Sequence, residues 1–186
     1  MSKILVDTID TRSGTSNITI GSSNASQITL KSGATLTNFP ANTPAFKAIL
    51  SGNKTISAGA DTKIQFDSEV FDTDNAFDPS TNYRFTVPSG KGGKYYVTLS
   101  VHTSVGSSDN DEIIITPFVN GALADVGAQT RRFSSSSTRT MSTSGILTLS
   151  AGDYVEGYVY IQGGTIVYKT SSWGTTAFSM FKLIGA

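Results

Sequence analysis

Two acidic stretches are the first residues in this chain whose types and spacing point to chemistry. One lies within residues 67–78, and the other is the run Asp109-Asn110-Asp111-Glu112. Clustered carboxylate and amide oxygens are the ligands that calcium prefers. The EF-hand loop pattern fails in the first stretch, because Phe77 stands where that loop requires a glycine. Calcium binding and ordinary solvated turns both remain open at the two stretches, and we predict no other cofactor.

The single histidine, His102, is the next candidate for catalysis. A Ser-His-Asp triad needs an acid fixed behind its histidine, and one histidine cannot form a His-rich metal site. The chain has no cysteine, which excludes thiol catalysis, disulfides and Cys-ligated zinc. Asp153 and Glu156 would leave one predicted strand on opposite faces, so they make a poor carboxylate pair for cleaving a glycoside. We therefore predict a surface or interface role for His102, and no enzymatic activity.

A glycine-rich segment, Gly90-Lys91-Gly92-Gly93-Lys94, has the composition of a phosphate-binding loop. It lacks the Gly-x4-Gly-Lys-Ser/Thr spacing, and no helix is predicted after it to present its N-terminus to a phosphate. Glycine readily adopts the backbone angles of a tight turn. The segment therefore predicts a turn between two strands.

Three arginines and one tryptophan are candidates for recognition. The arginines flank a serine-rich run and could contact phosphate or an anionic sugar, although such arginines are also ordinary surface residues. The flat ring of Trp173, the only tryptophan, could stack on a sugar or pack in the core. We expect recognition on exposed loops at residues 107–111, 133–139 and 163–173. The candidate receptor-binding residues are Asp109, Asn110, Asp111, Arg131, Arg132, Arg139 and Trp173.

The charge composition excludes several classes of protein. Among 186 residues, 14 Lys+Arg balance 14 Asp+Glu, which argues against nucleic-acid binding because such proteins usually carry a basic excess. No run approaches the roughly 18 apolar residues of a membrane span, and the apolar run at the start is too short for a secretion signal. Charged residues make up only 15%, against about 25% in ordinary soluble domains. A neutral chain of this kind fits a protein whose surface is partly covered in an assembly.

Aromatic residues divide the chain into two parts. Of the 10 Phe, 7 Tyr and 1 Trp, only Phe39 precedes Ala45. Since aromatic side chains supply much of a core's buried area, residues 45–186 are predicted to be the globular domain. Residues 1–44 carry period-two apolar pieces at 18–20 and 28–30, separated by turn residues, and they could not fold alone. A shaft wound from several copies and a flexible linker would both fit this segment.

Alternating apolar residues predict consecutive strands in the globular domain. The segment 94–102 has one apolar and one polar face, whereas 112–120 is apolar on both faces and is predicted to be central or interfacial. No segment shows a sustained helical period. The pattern predicts an all-β, antiparallel two-sheet jelly-roll sandwich of about ten strands. The predicted strands are 46–50, 64–70, 83–87, 94–102, 112–120, 144–150, 153–162 and 176–184.

Short phrases in a fixed order resemble a known family. Among them are Ala45-Phe46-Lys47-Ala48, Tyr83-Arg84-Phe85-Thr86-Val87-Pro88, Val119-Asn120-Gly121, Leu149-Ser150-Ala151-Gly152-Asp153-Tyr154 and Phe178-Ser179-Met180-Phe181. Residues 45–186 resemble the globular head of complement component 1q, within the tumour-necrosis-factor-like jelly-roll superfamily. The resemblance implies a ten-stranded jelly roll that assembles as a compact homotrimer.

The first ten residues, followed by Gly/Ser/Thr-rich sequence, look like the start of bacteriophage tail-fibre and other virion proteins. In those proteins such a leader anchors the chain to the virion. The collagen stalk of animal complement proteins needs glycine at every third position, and this sequence has no such repeat.

These resemblances lead us to expect a trimeric tail-fibre or appendage protein, made in the host cytoplasm and carried on the virion. Residues 1–44 would bind other virion proteins, and the head would adhere to a host-surface glycan or protein. The alternative is a purely structural capsid or tail decoration protein that binds only other virion proteins. We expect no nucleic-acid partner and no membrane insertion.

Overall fold

The computed structural model describes Ser32 and residues 42–57, 59–105, 111–127, 129–133, 137–162, 165–168, 170–171 and 174–184. The described strands belong to one compact unit, Pro40–Ala186. The strands predicted at 18–20 and 28–30 lie outside the described residues, as does most of the predicted segment 1–44. The described residues form strands and no helix. Those residues therefore contain no helix long and apolar enough to cross a membrane.

Sixteen strands occur in the described part of the chain, and ten of them have four residues or more. In chain order they are β1 (Ala45–Ile49), β2 (Lys54–Ser57), β3 (Thr62–Lys63), β4 (Ser68–Asp72), β5 (Phe77–Asp78), β6 (Arg84–Thr86), β7 (Gly93–Val105), β8 (Asp111–Val119), β9 (Ala122–Leu123), β10 (Gln129–Phe133), β11 (Ser137–Leu149), β12 (Tyr154–Ile161), β13 (Thr165–Tyr168), β14 (Thr170–Ser171), β15 (Gly174–Thr175) and β16 (Ala177–Lys182).

The strands form two main antiparallel sheets. The first sheet has the order β2-β13-β7-β16-β1-β4, with β11 pairing along the whole length of β7. The second has the order β10-β8-β12-β6-β5, with β3 on β12 and β9 on β8, while β14 and β15 pair separately. In the first sheet, β1 lies between β16 and β4. Many strands that follow each other in the sequence are therefore not adjacent in a sheet. The predicted all-β, two-sheet sandwich is confirmed, and β8 is central in its sheet as expected.

A cluster of phenylalanines joins the two sheets. Phe46 on β1 stacks on Phe77 at 4.6 Å between ring centroids and on Phe85 at 5.1 Å. Phe178 on β16 meets the Phe46 ring edge-on at 5.0 Å. Phe46 and Phe178 come from the first sheet, whereas Phe77 and Phe85 come from the second. All four rings are buried, so this cluster is the centre of the hydrophobic core.

The single strand predicted over 64–70 is wrong. β3 pairs with β12 of the second sheet, and β4 pairs with β1 of the first sheet. The chain between β3 and β4 therefore crosses from the second sheet to the first. Ile64 and Phe66 are buried in this crossing, which produced the alternating pattern without a strand. A Cβ atom on Gly157 would lie 3.0 Å from both Phe66 and Leu99, so the crossing chain packs where β12 lacks a side chain.

A two-residue turn connects β8 to β9. Val119 pairs with Ala122, and the intervening Asn120 and Gly121 have φ values of 52° and 79°. Positive φ at both central positions is the requirement of the type I′ hairpin turn, which Asn-Gly satisfies. The Asn120 amide donates to the Asp153 carboxylate at 2.8 Å and its oxygen accepts from the backbone of Tyr154 at 3.0 Å. The side chain therefore ties this turn to the start of β12.

Asp67 fixes the loop after β1 through an ionised carboxylate. It accepts hydrogen bonds from the backbone N–H of Ser51 at 2.8 Å, the Ser51 hydroxyl at 2.9 Å and the Lys54 ammonium at 2.9 Å. Burial alone would raise its pKa, but the Lys54 and Ser51 bonds outweigh burial and lower the pKa from 3.8 to about 2. The stabilisation that ionised Asp67 gives the folded protein is therefore complete above about pH 4 and is lost as the pH falls through about 2.

We expect Asp67→Asn to lower the free energy of unfolding by about 1–2 kcal/mol at pH 7, because a charged acceptor is replaced by a neutral amide. The difference from the unaltered protein should shrink as the pH approaches 2. Urea denaturation at several pH values measures it. Asp125→Asn, at an exposed position, is the control. A loss for Asp67→Asn that is independent of pH would contradict the ionised role.

Candidate functional site

The structure describes the backbone, but not the side chains, of four predicted receptor-binding residues. Arg131 and Arg132 lie in β10, opposite Ile113 and Glu112 of β8. Asp111 begins β8, and Arg139 lies in β11. The three arginines are therefore in strands and not in loops, because the β8–β10 and β7–β11 ladders extend farther than the apolar pattern indicated.

Three further candidates, Asp109, Asn110 and Trp173, lie outside the described residues. The predicted loop 163–173 contains β13 and β14. The structure does not bring the predicted receptor-binding residues together into one described site, and their role in recognition stays a prediction.

The acidic stretch within 67–78 is used by the fold itself. Asp72 accepts hydrogen bonds from the backbone N–H of Asp74 at 3.1 Å and of Phe77 at 2.7 Å. Asp74 accepts from the Thr73 hydroxyl at 2.6 Å and lies 3.6 Å from the Lys91 ammonium. Within the described ranges, no three acidic or histidine side chains are grouped so that they could hold a metal ion.

Asp78 is the most completely bonded carboxylate of this stretch. Its two oxygens accept the backbone N–H groups of Ser80, Thr81 and Asn82, each at 2.9 Å. The Ser80 hydroxyl and the Asn82 amide add bonds of 3.0 and 2.9 Å. Bonds from the backbone of Thr81, Ser80 and Asn82 hold the pKa of Asp78 well below its ordinary value. The carboxylate therefore closes the loop between β5 and β6.

His102 is buried, with 3% of its surface exposed, although it lies on the polar face of β7. Its ring Nδ1 is 2.8 Å from the hydroxyl of Thr140, and its backbone N–H donates to the hydroxyl of Thr176 at 2.9 Å. A hydroxyl therefore faces the ring nitrogen at which a catalytic triad would place its carboxylate. The predicted surface position of His102 is wrong, because the ring is buried within a single copy, and the alternative interface role remains a prediction.

The outward side of the first sheet is nearly free of charge. Inward residues of β7 such as Tyr95, Val97 and Leu99 are fully buried, so the alternate residues face outward. We call the outward residues of β1, β7, β11 and β16 the first outer face, and among them only Lys47 and Lys94 are charged. The members whose burial is described are Ala45, Lys47, Ile49, Lys94, Tyr96, Thr98, Ser100, His102, Thr140, Ser142, Ser144, Ile146, Thr148, Ala177, Ser179 and Phe181.

Two contacts show how the first outer face is organised. The rings of Tyr96 and Phe181 lie 5.4 Å apart, between centroids. The hydroxyl of Ser142 donates to that of Ser100 at 3.2 Å. Ile146 is 57% exposed on the same face.

The outward side of the second sheet, which we call the second outer face, is aromatic and charged. Along β12 its outward residues are Tyr154, Glu156, Tyr158 and Tyr160. The Tyr158 ring stacks on Phe118 of β8 at 4.1 Å between centroids. The Arg84 guanidinium lies 4.2 Å from the centre of the Tyr154 ring, a cation–π contact.

An ion pair between a buried carboxylate and a half-buried lysine lies in the second outer face. Only 6% of the Glu156 side chain is exposed, and one of its oxygens lies 3.0 Å from the Lys63 ammonium. Lys63 also donates to the carbonyl of Asn82 at 3.0 Å. The Tyr158 hydroxyl donates to the second Glu156 oxygen at the longer distance of 3.4 Å. Burial, and next the charge of Glu156, raises the pKa of Tyr158, so the phenol remains a hydrogen-bond donor.

Two polar clefts adjoin this ion pair. The Lys63 cleft, of about 270 Å³, is lined by Lys54, Thr55, Ile56, Thr62, Lys63, Ile64 and Gln65. The Arg84 cleft, of about 360 Å³, is lined by Asp74, Asn75, Ala76, Phe77, Asp78, Asn82, Arg84, Thr86, Val87 and Pro88. The bond from Lys63 to Asn82 joins the two linings. The alternating pattern of residues 153–162 predicted this strand, but the sequence did not indicate these clefts.

A third cleft, of about 370 Å³, lies beside an exposed apolar pair. Leu123 of β9 is 66% exposed, and Ile146 of the first outer face lines the same cleft. Exposed apolar groups of this size often mark contacts with another protein.

Comparisons with known proteins agree with this architecture. The sequence model of the C1q domain matches residues 45–183. The globular domain of zebrafish complement 1qA is 20% identical, with 75% of this chain and 96% of that chain covered and a TM-score of 0.49. Murine APRIL is 13% identical, with 75% and 98% covered and a TM-score of 0.53, and supports the fold alone. No curated protein sequence matches the chain.

Proposed function

The chain belongs to the C1q domain family, and we propose that it is a non-enzymatic, trimeric bacteriophage virion protein whose head adheres to the host surface. The observation that carries the proposal is the low charge of the first outer face, on a chain whose first ten residues look like a tail-fibre leader. The protein would be made in the host cytoplasm and displayed on the tail or capsid.

The first outer face suits contact with identical copies. Burying an unpaired charge is costly, whereas hydroxyl groups can pair with each other across an interface. This face offers many hydroxyls and a ring pair, Tyr96 and Phe181. In a closed threefold ring each copy contacts the next through two different patches, so a broad neutral face can cover part of its neighbour.

Trimer formation gives adhesion its strength. Three linked heads make the second and third contacts intramolecular, so avidity can exceed a single affinity by about 10²–10⁴. In this proposal residues 1–44 hold the heads on other virion proteins, as the resemblance of the leader implies.

Virion composition and adsorption test the proposal. Virions of the phage that encodes the chain should contain it, and Fab fragments against the full chain should slow adsorption to host cells. A non-binding Fab of the same class is the control. Virions that lack the chain would overturn the proposal.

A purely structural decoration protein is the second candidate function. The cleft beside Leu123 and Ile146 favours it, because an exposed apolar pair suits packing against another virion protein. Virions that contain the chain and adsorb normally in the presence of saturating Fab would favour this alternative.

A further inference from the structure

We propose that the second outer face binds a neutral oligosaccharide, which lies across the Lys63 and Arg84 clefts with Tyr154 and Tyr158 beside it. This inference rests on the proposed adhesive function and names the ligand class and the site. The predicted receptor-binding residues do not include these side chains.

The first argument is the continuity of the surface. Lys63 lines one cleft, and its ammonium bonds the carbonyl of Asn82, which lines the other. Arg84 lines the second cleft and covers one side of the Tyr154 ring. The two clefts are therefore neighbours, and the bond from Lys63 to Asn82 joins their linings. Adjacent shallow clefts of about 270 and 360 Å³ suit consecutive sugar units better than one compact ligand.

The second argument is the charge of the site. Each lysine that lines the Lys63 cleft already has an acidic partner, Asp67 for Lys54 and Glu156 for Lys63. In the Arg84 cleft, five donors of its own loop bond Asp78. The single cation of that cleft, Arg84, shares its lining with two carboxylates, Asp74 and Asp78. Neither cleft therefore offers an excess of positive charge to a phosphate or polyanion, whereas a neutral ligand with many hydroxyl groups needs none.

The third argument is the combination of aromatic rings with polar cleft linings. Tyr154 and Tyr158 are half-buried, so part of each ring remains accessible to a ligand. A sugar ring presents C–H groups on one side, which pack against an aromatic ring, and hydroxyls at its edge, which need polar partners. The linings of both clefts supply such partners, among them Thr62 and Gln65 in one and Asn75 and Asn82 in the other.

The test is binding of the full chain to an array of immobilised oligosaccharides, both neutral and acidic. The unaltered protein should bind neutral members, and Tyr158→Ala and Tyr154→Ala should each weaken that binding by at least about tenfold. Tyr158→Phe, which keeps the ring, should lose less than Tyr158→Ala and shows whether ring loss or misfolding is responsible. Tyr160→Ala is the matched control, because Tyr160 lies on the same strand and face but pairs with Ile114 of β8. Tyr154, in contrast, contacts Arg84, and Tyr158 pairs with Lys63.

Three outcomes would overturn the inference. Neutral binding that Tyr158→Ala and Tyr154→Ala retain would place the glycan site elsewhere, and adhesion would stand. Binding confined to acidic oligosaccharides and weakened between about 0.1 and 0.5 M salt would exclude the neutral class. If no oligosaccharide binds, the site is not a glycan site, and the Fab adsorption experiment decides separately whether the head is an adhesin.

Discussion

A single Thr98→Arg substitution is expected to convert the proposed trimer into a folded monomer. Thr98 lies in the middle of the first outer face, paired with Ser144 of β11 on one side and Ser179 of β16 on the other. An arginine there would put an unpaired cation into the proposed interface between copies. Leaving a buried charge without a partner costs about 3–5 kcal/mol in measured cases. A loss of this size in association free energy is enough to dissociate an interface of modest affinity.

Light scattering after size-exclusion chromatography measures this effect. The unaltered protein should have three times the 19.6 kDa mass of one chain, and Thr98→Arg should have the mass of one chain. Thr81→Arg, which makes the same change in an exposed turn, should remain trimeric. Circular dichroism should show the same strand content in all three proteins. A trimeric Thr98→Arg would place the interface elsewhere, and a monomeric unaltered protein would contradict the trimer itself.

Phe46→Ala is expected to lower the free energy of unfolding by about 3–5 kcal/mol. The ring is fully buried and contacts Phe77, Phe85 and Phe178, so alanine leaves a cavity where both sheets meet. Because domains are stable by only about 5–15 kcal/mol, this one change removes a large fraction of the total.

Urea denaturation followed by far-UV circular dichroism measures the loss. Phe46→Leu, which keeps most of the volume, should lose less than Phe46→Ala and remains measurable if the alanine variant does not fold. Ile184→Ala removes apolar atoms from a side chain that is 53% exposed, and it should change stability by less than about 0.5 kcal/mol. A loss below about 1 kcal/mol for Phe46→Ala would contradict the central position of this ring.

Strong alternation predicted the strands that bury one apolar face. The segment predicted at 94–102 lies within β7, and Phe46 and Phe178 fall on predicted strands. Period-two patterning identifies a pleated surface, but it does not say which sheet a segment joins. That is why Ile64 and Phe66, which alternate along a crossing, were taken for a strand.

Two further strands were missed or shortened for different reasons. The first half of β11, Ser137 to Thr143, is mostly hydroxyl residues, so it lacks the apolar alternation on which the prediction depended. The backbone pairing of its thirteen residues with β7 makes this segment a strand. The segment Thr165–Tyr168 is β-branched and aromatic, and its composition alone could have predicted β13.

The candidate site depended on contacts that no local pattern contains. Lys63 and Glu156 are 93 residues apart, and only the pairing of β3 with β12 brings them together. Glu156 lies in an outward row of tyrosines on β12, where a carboxylate is ordinarily exposed. It is buried there beside Lys63, a partner that is distant in the sequence. Sequence reasoning therefore predicted the strand over 153–162 but not the clefts beside it.

The position of β1 between β16 and β4 has a mechanical consequence. Both neighbours run antiparallel to β1, and each pairs with nearly its whole length. Tension that enters through Ala45 along the strand axis therefore loads many backbone hydrogen bonds at once, in shear, instead of opening them one after another. Phe46, the second residue of β1, adds resistance because its ring must leave the core before the strand can slide. The chain thus enters its domain through an element that resists pulling.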